Sequence, residues 1–194
     1  MSVETDNVEL VGDEAVANVA RAALFAALIG GCAYVSFPNP LAPSVPVTLQ
    51  VLALFLAGIY LGPVWGTASM GLYLAAGAAG APVFSGGAAG VGVLLGPTGG
   101  YLWSYPIAAA AIGLVVHRGL SLRNPNTVST PILVGAMVAG TAIVYAFGSV
   151  GLYLATPMGL LAAIEAGSAA FVPFEVIKIA AAVGIVRSDE IAAA

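Results

Sequence analysis

Residues 22–62 read AALFAALIGGCAYVSFPNPLAPSVPVTLQVLALFLAGIYLG, and no Asp, Glu, Lys or Arg follows them until Arg118. A soluble domain needs charged side chains spread over its surface to stay dispersed in water. An uncharged stretch of this length is instead typical of a chain whose solvent is hydrocarbon. The sequence therefore predicts an integral membrane protein, in which the few charged residues are the informative ones.

Length and composition favour a single helical bundle. The chain has 194 residues, of which 60% are hydrophobic and 7% charged. A bilayer core needs about 20 helical residues per crossing, so six crossings use roughly 120 residues. Residues 22–34 and 132–145 are almost continuously apolar, whereas barrel strands alternate apolar and polar residues. We expect an acidic N-terminal tail at 1–18, a membrane domain at 19–188 and a C-terminal tail at 189–194.

Proline and glycine residues divide the apolar sequence into segments. Four prolines lie within 38–46, a Gly62-Pro63 step makes one connection tight, and 80–97 and 155–171 contain further glycine and proline. These residues interrupt or end helices. The sequence predicts an all-α protein with six transmembrane helices, at 19–37, 47–62, 65–79, 98–117, 131–154 and 172–188.

The arginines predict the orientation of these helices. With six spans, Arg21, Arg118, Arg123 and Arg187 all fall on one side of the membrane. Basic residues concentrate on the cytoplasmic side, so we expect a multi-pass protein of the cell membrane with both termini inside. No basic residue precedes Arg21, which is atypical of a cleaved secretory signal. The connections 38–46, 80–97 and 155–171 then face outward.

Two charged residues lie where lipid is expected. Glu175 and Lys178 are three residues apart near the outer end of the last helix, so they share a face. A charge at membrane depth costs roughly 2.5–3.5 kcal/mol on insertion scales. One explanation is an ion pair that neutralises itself and steadies the bundle. The other is a polar pocket open to the outside, with Glu175 near the positive end of a helix that Pro173 begins.

Uncharged polar and glycine-rich segments occupy the same outer end. Thr48 and Gln50 can hydrogen-bond a neutral ligand, or they can cap and brace a helix. Glycine lets a backbone approach a ligand closely, and aromatic rings supply flat apolar walls, although tight connections also use glycine. The residues concerned are Phe84, Ser85, Gly86 and Gly87 in one cluster, and Thr98, Gly99 and Tyr101 in another.

Four sequence strings, in this order and spacing, resemble the BioY family. They are VPVTLQ at 45–50, GAPVFSGG at 80–87, LGPTGGYL at 95–102 and FVPFEVIK at 171–178. Members of this family are the biotin-specific components of energy-coupling-factor transporters. The last string departs from the family's usual P-G-D-x-x-K, since Phe174 stands for Gly and Glu175 for Asp. The acid keeps its spacing to Lys178.

The resemblance implies a six-helix bundle that binds biotin near its outer surface, with the vitamin as transported substrate and no cofactor. Glu175 is then expected to accept the ureido N–H groups, and Lys178 to bind either the ureido oxygen or the valerate carboxylate. Phe84 and Tyr101 are expected to flank the rings. The remaining expected contacts are Gln50, Thr48, Ser85, Gly86, Gly87, Thr98 and Gly99.

The resemblance also implies partner subunits. The chain contains no G-x-x-x-x-G-K-[ST] phosphate loop, so ATP hydrolysis by that route is excluded. The family implies two ATPase subunits and a membrane scaffold subunit, which docks through small residues on the first helix. Two pairs at i, i+4 spacing are candidates for this role: Ala22 with Ala26, and Ala23 with Ala27. Either pair can equally serve internal packing.

Three other functions compete with biotin uptake. A related transporter component can bind another vitamin, such as thiamin or riboflavin. An intramembrane enzyme is disfavoured, since His117 is the sole histidine, it sits beside Arg118, and no H-E-x-x-H zinc motif occurs. A purely structural membrane protein has no need of Glu175 and Lys178. The sequence therefore favours a transport component over an enzyme.

Overall fold

The computed structural model describes residues 12–39 and 45–188, most of which are helical. The termini at 1–11 and 189–194, and residues 40–44 of the first connection, lie outside the described residues, and with them most of the predicted tails. The helices are α1 Asp13–Cys32, α2 Gln50–Ala78, α3 Val91–Leu94, α4 Gly99–His117, α5 Thr130–Ala155, α6 Leu160–Gly167 and α7 Val172–Arg187. The strands are β1 Ser36–Phe37 and β2 Val47–Thr48, and 3-10 turns occur at Ser85–Gly87, Pro125–Thr127 and Ala169–Phe171.

Helix α2 is two helices joined by a reversal at Gly62. This residue has φ 71° and ψ −172°, a conformation open to glycine and not to residues with a Cβ. The next residue, Pro63, suits the first turn of a new helix. The Gln50 side chain donates to the Tyr73 hydroxyl at 2.5 Å across 23 positions, which a straight helix would separate by about 34 Å. The predicted antiparallel pair with a tight Gly62-Pro63 connection is confirmed.

Five stretches of the described chain are long and apolar enough to cross a membrane. One of them is α2, which counts as two antiparallel arms, residues 50–61 and 63–78. The six long helical segments of the bundle are therefore α1, the two arms, α4, α5 and α7, as the sequence predicts. Their directions alternate along the chain, so the start of α1 and the end of α7 lie at the same end of the bundle.

The first helix begins and ends earlier than predicted. It spans Asp13–Cys32 instead of 19–37, so Arg21 lies about two turns into the helix and not in its first turn. The residues predicted as its last turn form β1, in which Ser36 pairs with Thr48 and Phe37 with Val47. Pro38 disfavours a helical conformation for Phe37, and an extended strand pairing with β2 is the alternative that the chain takes.

The connections that the sequence predicts to face outward contain more helix than expected. The 155–171 connection includes α6, and the 80–97 connection includes α3. The α6 sequence LLAAIEAG consists mainly of good helix formers, but its eight residues are too few to signal a span. Glu165 therefore lies on a short helix and not in a loop.

Glycines let α4 and α5 approach within backbone contact. A Cβ added to Gly100 would lie 2.2 Å from the carbonyl oxygen of Phe147 and 3.0 Å from the Cα of Gly151. Lipid provides little hydrophobic drive for helix association, so such close packing is what holds membrane helices together. The contact fixes the spacing of the two helices next to the cavity described below.

The single histidine, His117, stabilises the end of the bundle at which α4 ends and α2 reverses. His117 is buried, its Nε2 lies 3.0 Å from the Ile59 carbonyl oxygen, and the Arg123 backbone N–H donates to its Nδ1 at 2.9 Å. An Nδ1 that accepts leaves Nε2 as the N–H donor. Nε2 therefore ties α4 to α2 just before its reversal, and Nδ1 ties α4 to the connection that follows it.

Candidate ligand-binding cavity

A cavity of about 180 Å³ lies at the end of the bundle away from His117, between α2, α4, α5 and α7. Apolar and aromatic side chains dominate its wall, and a few polar groups converge on it. The lining residues are Val45, Pro46, Thr48, Gln50, Val51, Phe84, Ser85, Ala88, Val93, Thr98, Tyr101, Leu102, Tyr105, Val144, Tyr145, Phe171, Glu175 and Lys178. Since a single water needs only about 10–15 Å³ by a comparable measure, this space is sufficient for a small organic molecule.

Both unexpected charges face this cavity as a hydrogen-bonded pair. The Lys178 Nζ lies 2.7 Å from Glu175 Oε1, and each side chain is only 5% exposed. The second carboxylate oxygen, Oε2, is buried and has no hydrogen-bond partner in residues 12–39 and 45–188. An ammonium has three donors, and one is directed at Glu175. The ion pair and the pocket, two explanations that the sequence leaves open, are thus both present.

A tyrosine of α5 presents a second unpartnered atom to the cavity. The Tyr145 hydroxyl is buried, and no described residue makes a hydrogen bond of ordinary geometry to it. The Glu175 carboxylate lies close enough to interact with it both through charge and as a longer contact of the hydrogen-bond type. Its ring packs on Phe171 at a centroid distance of 6.2 Å and an interplanar angle of 51°. Tyr145 therefore adds a donor beside the carboxylate acceptor.

Thr48 and Gln50 both line the cavity and brace the start of α2. The Thr48 hydroxyl donates to Gln50 Oε1 at 3.0 Å, and the Gln50 amide donates to the Tyr73 hydroxyl at 2.5 Å. These bonds satisfy much of the hydrogen-bonding capacity of the three side chains. The two roles that the sequence suggests for Thr48 and Gln50 are therefore compatible.

Aromatic rings form the apolar part of the wall. Tyr73 contacts Phe84 edge to face at 5.5 Å and stacks on Tyr105 at 6.3 Å. The Tyr101 hydroxyl donates to the Gly167 carbonyl oxygen at 2.6 Å, which fastens α4 to the end of α6. The rings are thus held by one another and by the protein before any ligand arrives.

The structure brings together most of the residues that the sequence singles out. Those that line the cavity are Glu175, Lys178, Gln50, Thr48, Phe84, Ser85, Thr98 and Tyr101. Gly86, Gly87 and Gly99 do not line it. The first two have positive φ in the turn that follows Phe84, and Gly99 packs against the Leu94 carbonyl, so these glycines shape the backbone around the cavity.

Sequence reasoning missed Tyr105 and Tyr145. Each lies inside an apolar helix, without a motif around it. Tyrosine in membrane helices normally lies at the water interface. Tyr105 lies several residues after the start of α4, and Tyr145 lies several residues before the end of α5. A tyrosine this far inside a membrane helix is an indication, readable from the sequence, that a polar site lies nearby.

Comparison with known proteins agrees with this geometry. The sequence profile described as BioY family matches residues 4–193. This chain belongs to the BioY family. It is 38% identical to the biotin transporter BioY of Rhodobacter capsulatus, over 84% of this chain and 87% of the relative. It is also 38% identical to the biotin transporter BioY of Thermotoga maritima, over 84% and 89%.

A solved structure supports the fold of this BioY-family chain. A crystal structure of the S-component for biotin from an ECF-type ABC transporter matches with a TM-score of 0.81 at 28% identity. The match covers 92% of this chain and 93% of the other. The resemblance that the four sequence strings carry is therefore confirmed across the membrane domain. In this chain the fold places a carboxylate acceptor, an ammonium donor and aromatic walls around one cavity.

Proposed function

We propose that this protein binds biotin and is the substrate-specific component of an energy-coupling-factor transporter that takes up the vitamin across the cell membrane. One observation carries the proposal: the unpartnered Oε2 of Glu175 lies at a largely apolar cavity in a protein whose relatives are biotin transporters. Its work is binding and transport, and it is not an enzyme.

The groups around the cavity match the chemistry of biotin. The ureido ring has two N–H donors and one carbonyl acceptor, and the Glu175 carboxylate accepts from the donors. Lys178 pairs with the ureido oxygen or with the valerate carboxylate. The bicyclic ring is otherwise apolar, and it fits against Phe84 and Tyr101. A ligand that supplies the missing hydrogen bonds removes the free-energy cost of burying unpartnered polar atoms.

Titration of the detergent-purified protein with biotin tests this function. We expect a dissociation constant of roughly nanomolar order, about −12 kcal/mol. Desthiobiotin, which keeps the ureido ring, should displace labelled biotin, while thiamin and riboflavin should not. If the protein binds thiamin or riboflavin in direct titration and does not bind biotin, the cavity belongs to another vitamin. Recovery of chemically unchanged biotin after incubation would agree with a binder.

The distribution of arginines supports an outward-facing cavity. Arg118 and Arg123 follow α4 and Arg187 ends α7, at the end of the bundle opposite the cavity. Basic residues favour the cytoplasmic side. Both termini are then cytoplasmic, and the cavity opens toward the outer face.

Exposure distinguishes the two alanine pairs on α1 as docking candidates. Ala22 is buried and Ala26 packs against the core, whereas Ala23 and Ala27 are exposed on the outer face of the helix. Only an exposed pair is accessible to the scaffold subunit, and small residues permit close helix contact. We assign docking to Ala23 and Ala27, in a complex with the scaffold and two ATPase subunits.

Enlarging this exposed pair tests the docking face. We expect Ala23→Leu with Ala27→Leu to reduce recovery of the scaffold subunit in co-purification at least tenfold, because the larger side chains keep the helices apart. The matched control is Ala139→Leu, at an exposed alanine of α5, which should retain the complex. Equal recovery from both variants would place the docking face elsewhere.

A further inference from the structure

We propose that Tyr145 is a specificity-determining residue, whose hydroxyl donates a hydrogen bond to a carbonyl oxygen of the ligand beside the N–H group that Glu175 accepts. The inference rests on the proposed function, since it assigns the ureido carbonyl of biotin to a particular side chain. None of the four sequence strings that indicate the family contains Tyr145.

Two unpartnered polar atoms side by side carry this inference. Nearly all buried polar groups in proteins have hydrogen-bond partners, so each exception needs an explanation. In the part of the chain that the structure describes, the exceptions that line the cavity are the Tyr145 hydroxyl and Glu175 Oε2. The two groups are neighbours, but no hydrogen bond of ordinary geometry joins them. A ligand group placed between them would therefore complete both, whereas a direct bond from Tyr145 to Glu175 would leave the ligand carbonyl unaffected by the loss of the hydroxyl.

The chemistry of the two atoms defines that group. An ionised carboxylate only accepts hydrogen bonds, whereas a phenol can donate one. A donor next to an acceptor is complementary to an N–H next to a C=O, which is the edge of a cyclic urea or a cis amide. Glu175 alone would select any N–H donor. With Tyr145 the site also requires a hydrogen-bond acceptor on the ligand. A ligand without an acceptor leaves the buried Tyr145 hydroxyl unpaired, and it binds more weakly.

The hydroxyls of Tyr73 and Tyr101, beside the cavity, have partners within the protein and serve different purposes. The Tyr101 hydroxyl donates to Gly167, and the Tyr73 hydroxyl accepts from Gln50. Both are held by the protein in the absence of a ligand. Tyr105 also lines the cavity and is the competing candidate for the carbonyl oxygen, so its hydroxyl belongs in the test.

Packing places Tyr145 and Glu175 relative to each other. The Tyr145 ring rests on Phe171, and the Ser168 hydroxyl reaches the Tyr145 carbonyl oxygen at 3.5 Å. One turn further along α5, Ser149 shares a 2.6 Å hydrogen bond with the Ser168 hydroxyl. Residues 168–171 lead directly into α7, which carries Glu175. The same segment therefore positions both groups in advance, which lowers the entropy cost of binding.

The test removes only the hydroxyl and observes the ligand carbonyl directly. Tyr145→Phe is compared with wild type, with Tyr105→Phe, and with Tyr153→Phe, an exposed tyrosine of α5 outside the cavity. Biotin affinity is measured by titration. The ureido carbonyl stretch of saturating biotin is then measured by infrared difference spectroscopy between ureido-¹³C and unlabelled ligand. The band of free biotin at the same concentration is subtracted, so that the remaining band comes from folded, occupied protein.

We expect Tyr145→Phe to weaken biotin binding about tenfold and to move the bound carbonyl stretch to higher frequency, because a hydrogen bond to the oxygen is lost. Tyr153→Phe should match wild type in both measurements. An unchanged carbonyl band in Tyr145→Phe would overturn the inference whatever its affinity, and so would a shift confined to Tyr105→Phe. Wild-type protein that fails to bind biotin would instead overturn the proposed function.

Discussion

Replacing Lys178 with Met is expected to weaken biotin binding by a factor of about 100 or more. The substitution keeps the apolar stem and removes the ammonium that lies 2.7 Å from Glu175 in a largely buried site. Breaking a buried pair by removing one partner costs about 3–5 kcal/mol, because the other charge stays buried without compensation. We therefore expect a lower melting temperature in detergent, together with the weaker titration.

The double variant Glu175→Gln with Lys178→Met separates stability from binding. Replacing both partners by neutral groups of similar shape is often close to neutral for stability, so the melting temperature should recover toward that of wild type. Binding should stay weak, since the acceptor and the donor are both gone. Biotin affinity that recovers together with stability would mean that the pair only steadies the bundle and that the vitamin binds elsewhere.

Gly100→Ala is expected to destabilise the bundle by forcing α4 and α5 apart. The new Cβ would meet the Phe147 carbonyl at 2.2 Å, a distance that requires α4 and α5 to move apart. Overpacking of this kind typically costs about 1–3 kcal/mol, and the displacement reaches the cavity through the neighbouring Tyr101. Melting temperature and biotin affinity measured on the same preparation should both fall.

The matched control for this substitution is Gly135→Ala on α5. A Cβ there meets nothing within 4 Å, and alanine favours a helix by roughly 1 kcal/mol over glycine. Its melting temperature should equal or exceed that of wild type. If Gly100→Ala were as stable as Gly135→Ala, the close approach of the two helices would not be what holds this part of the bundle together.

The sequence predicted the features that depend on composition and on strong local rules. The number of helical segments follows from apolar length and from breaks such as Gly62-Pro63. The positions of Glu175 and Lys178 follow from the cost of charge in lipid. The end of α1 was misplaced because residues 34–37 are as apolar as a helix end, and their strand pairing with Val47 and Thr48 depends on a contact distant in sequence.

Other features depend on rotation and depth, which residue spacing leaves open. The pairs Ala22/Ala26 and Ala23/Ala27 have the same spacing but point about 100° apart on the helix, so only the packed structure shows which pair is exposed. Tyr145 became a site candidate once its hydroxyl was seen buried, unpaired and beside Glu175. The exposure of one alanine pair and the burial of the Tyr145 hydroxyl beside Glu175 are properties of the assembled bundle. Residue spacing along one helix does not determine them.

The reversal at Gly62 also has a consequence for the surrounding lipid. The two arms of α2 have about 12 and 16 residues, or roughly 18 and 24 Å of helix, while the hydrocarbon layer is about 30 Å thick. The tip of this hairpin, at Gly62, therefore does not reach the headgroups on its side of the bilayer. Leu122 lies over Gly62, and Arg123 is hydrogen-bonded to His117. The connection between α4 and α5, which carries Arg118 and Arg123, is therefore held at the same membrane depth as the tip of the hairpin. Phosphate groups drawn toward those arginines would thin the bilayer locally, which makes membrane thickness a determinant of how this protein sits and tilts.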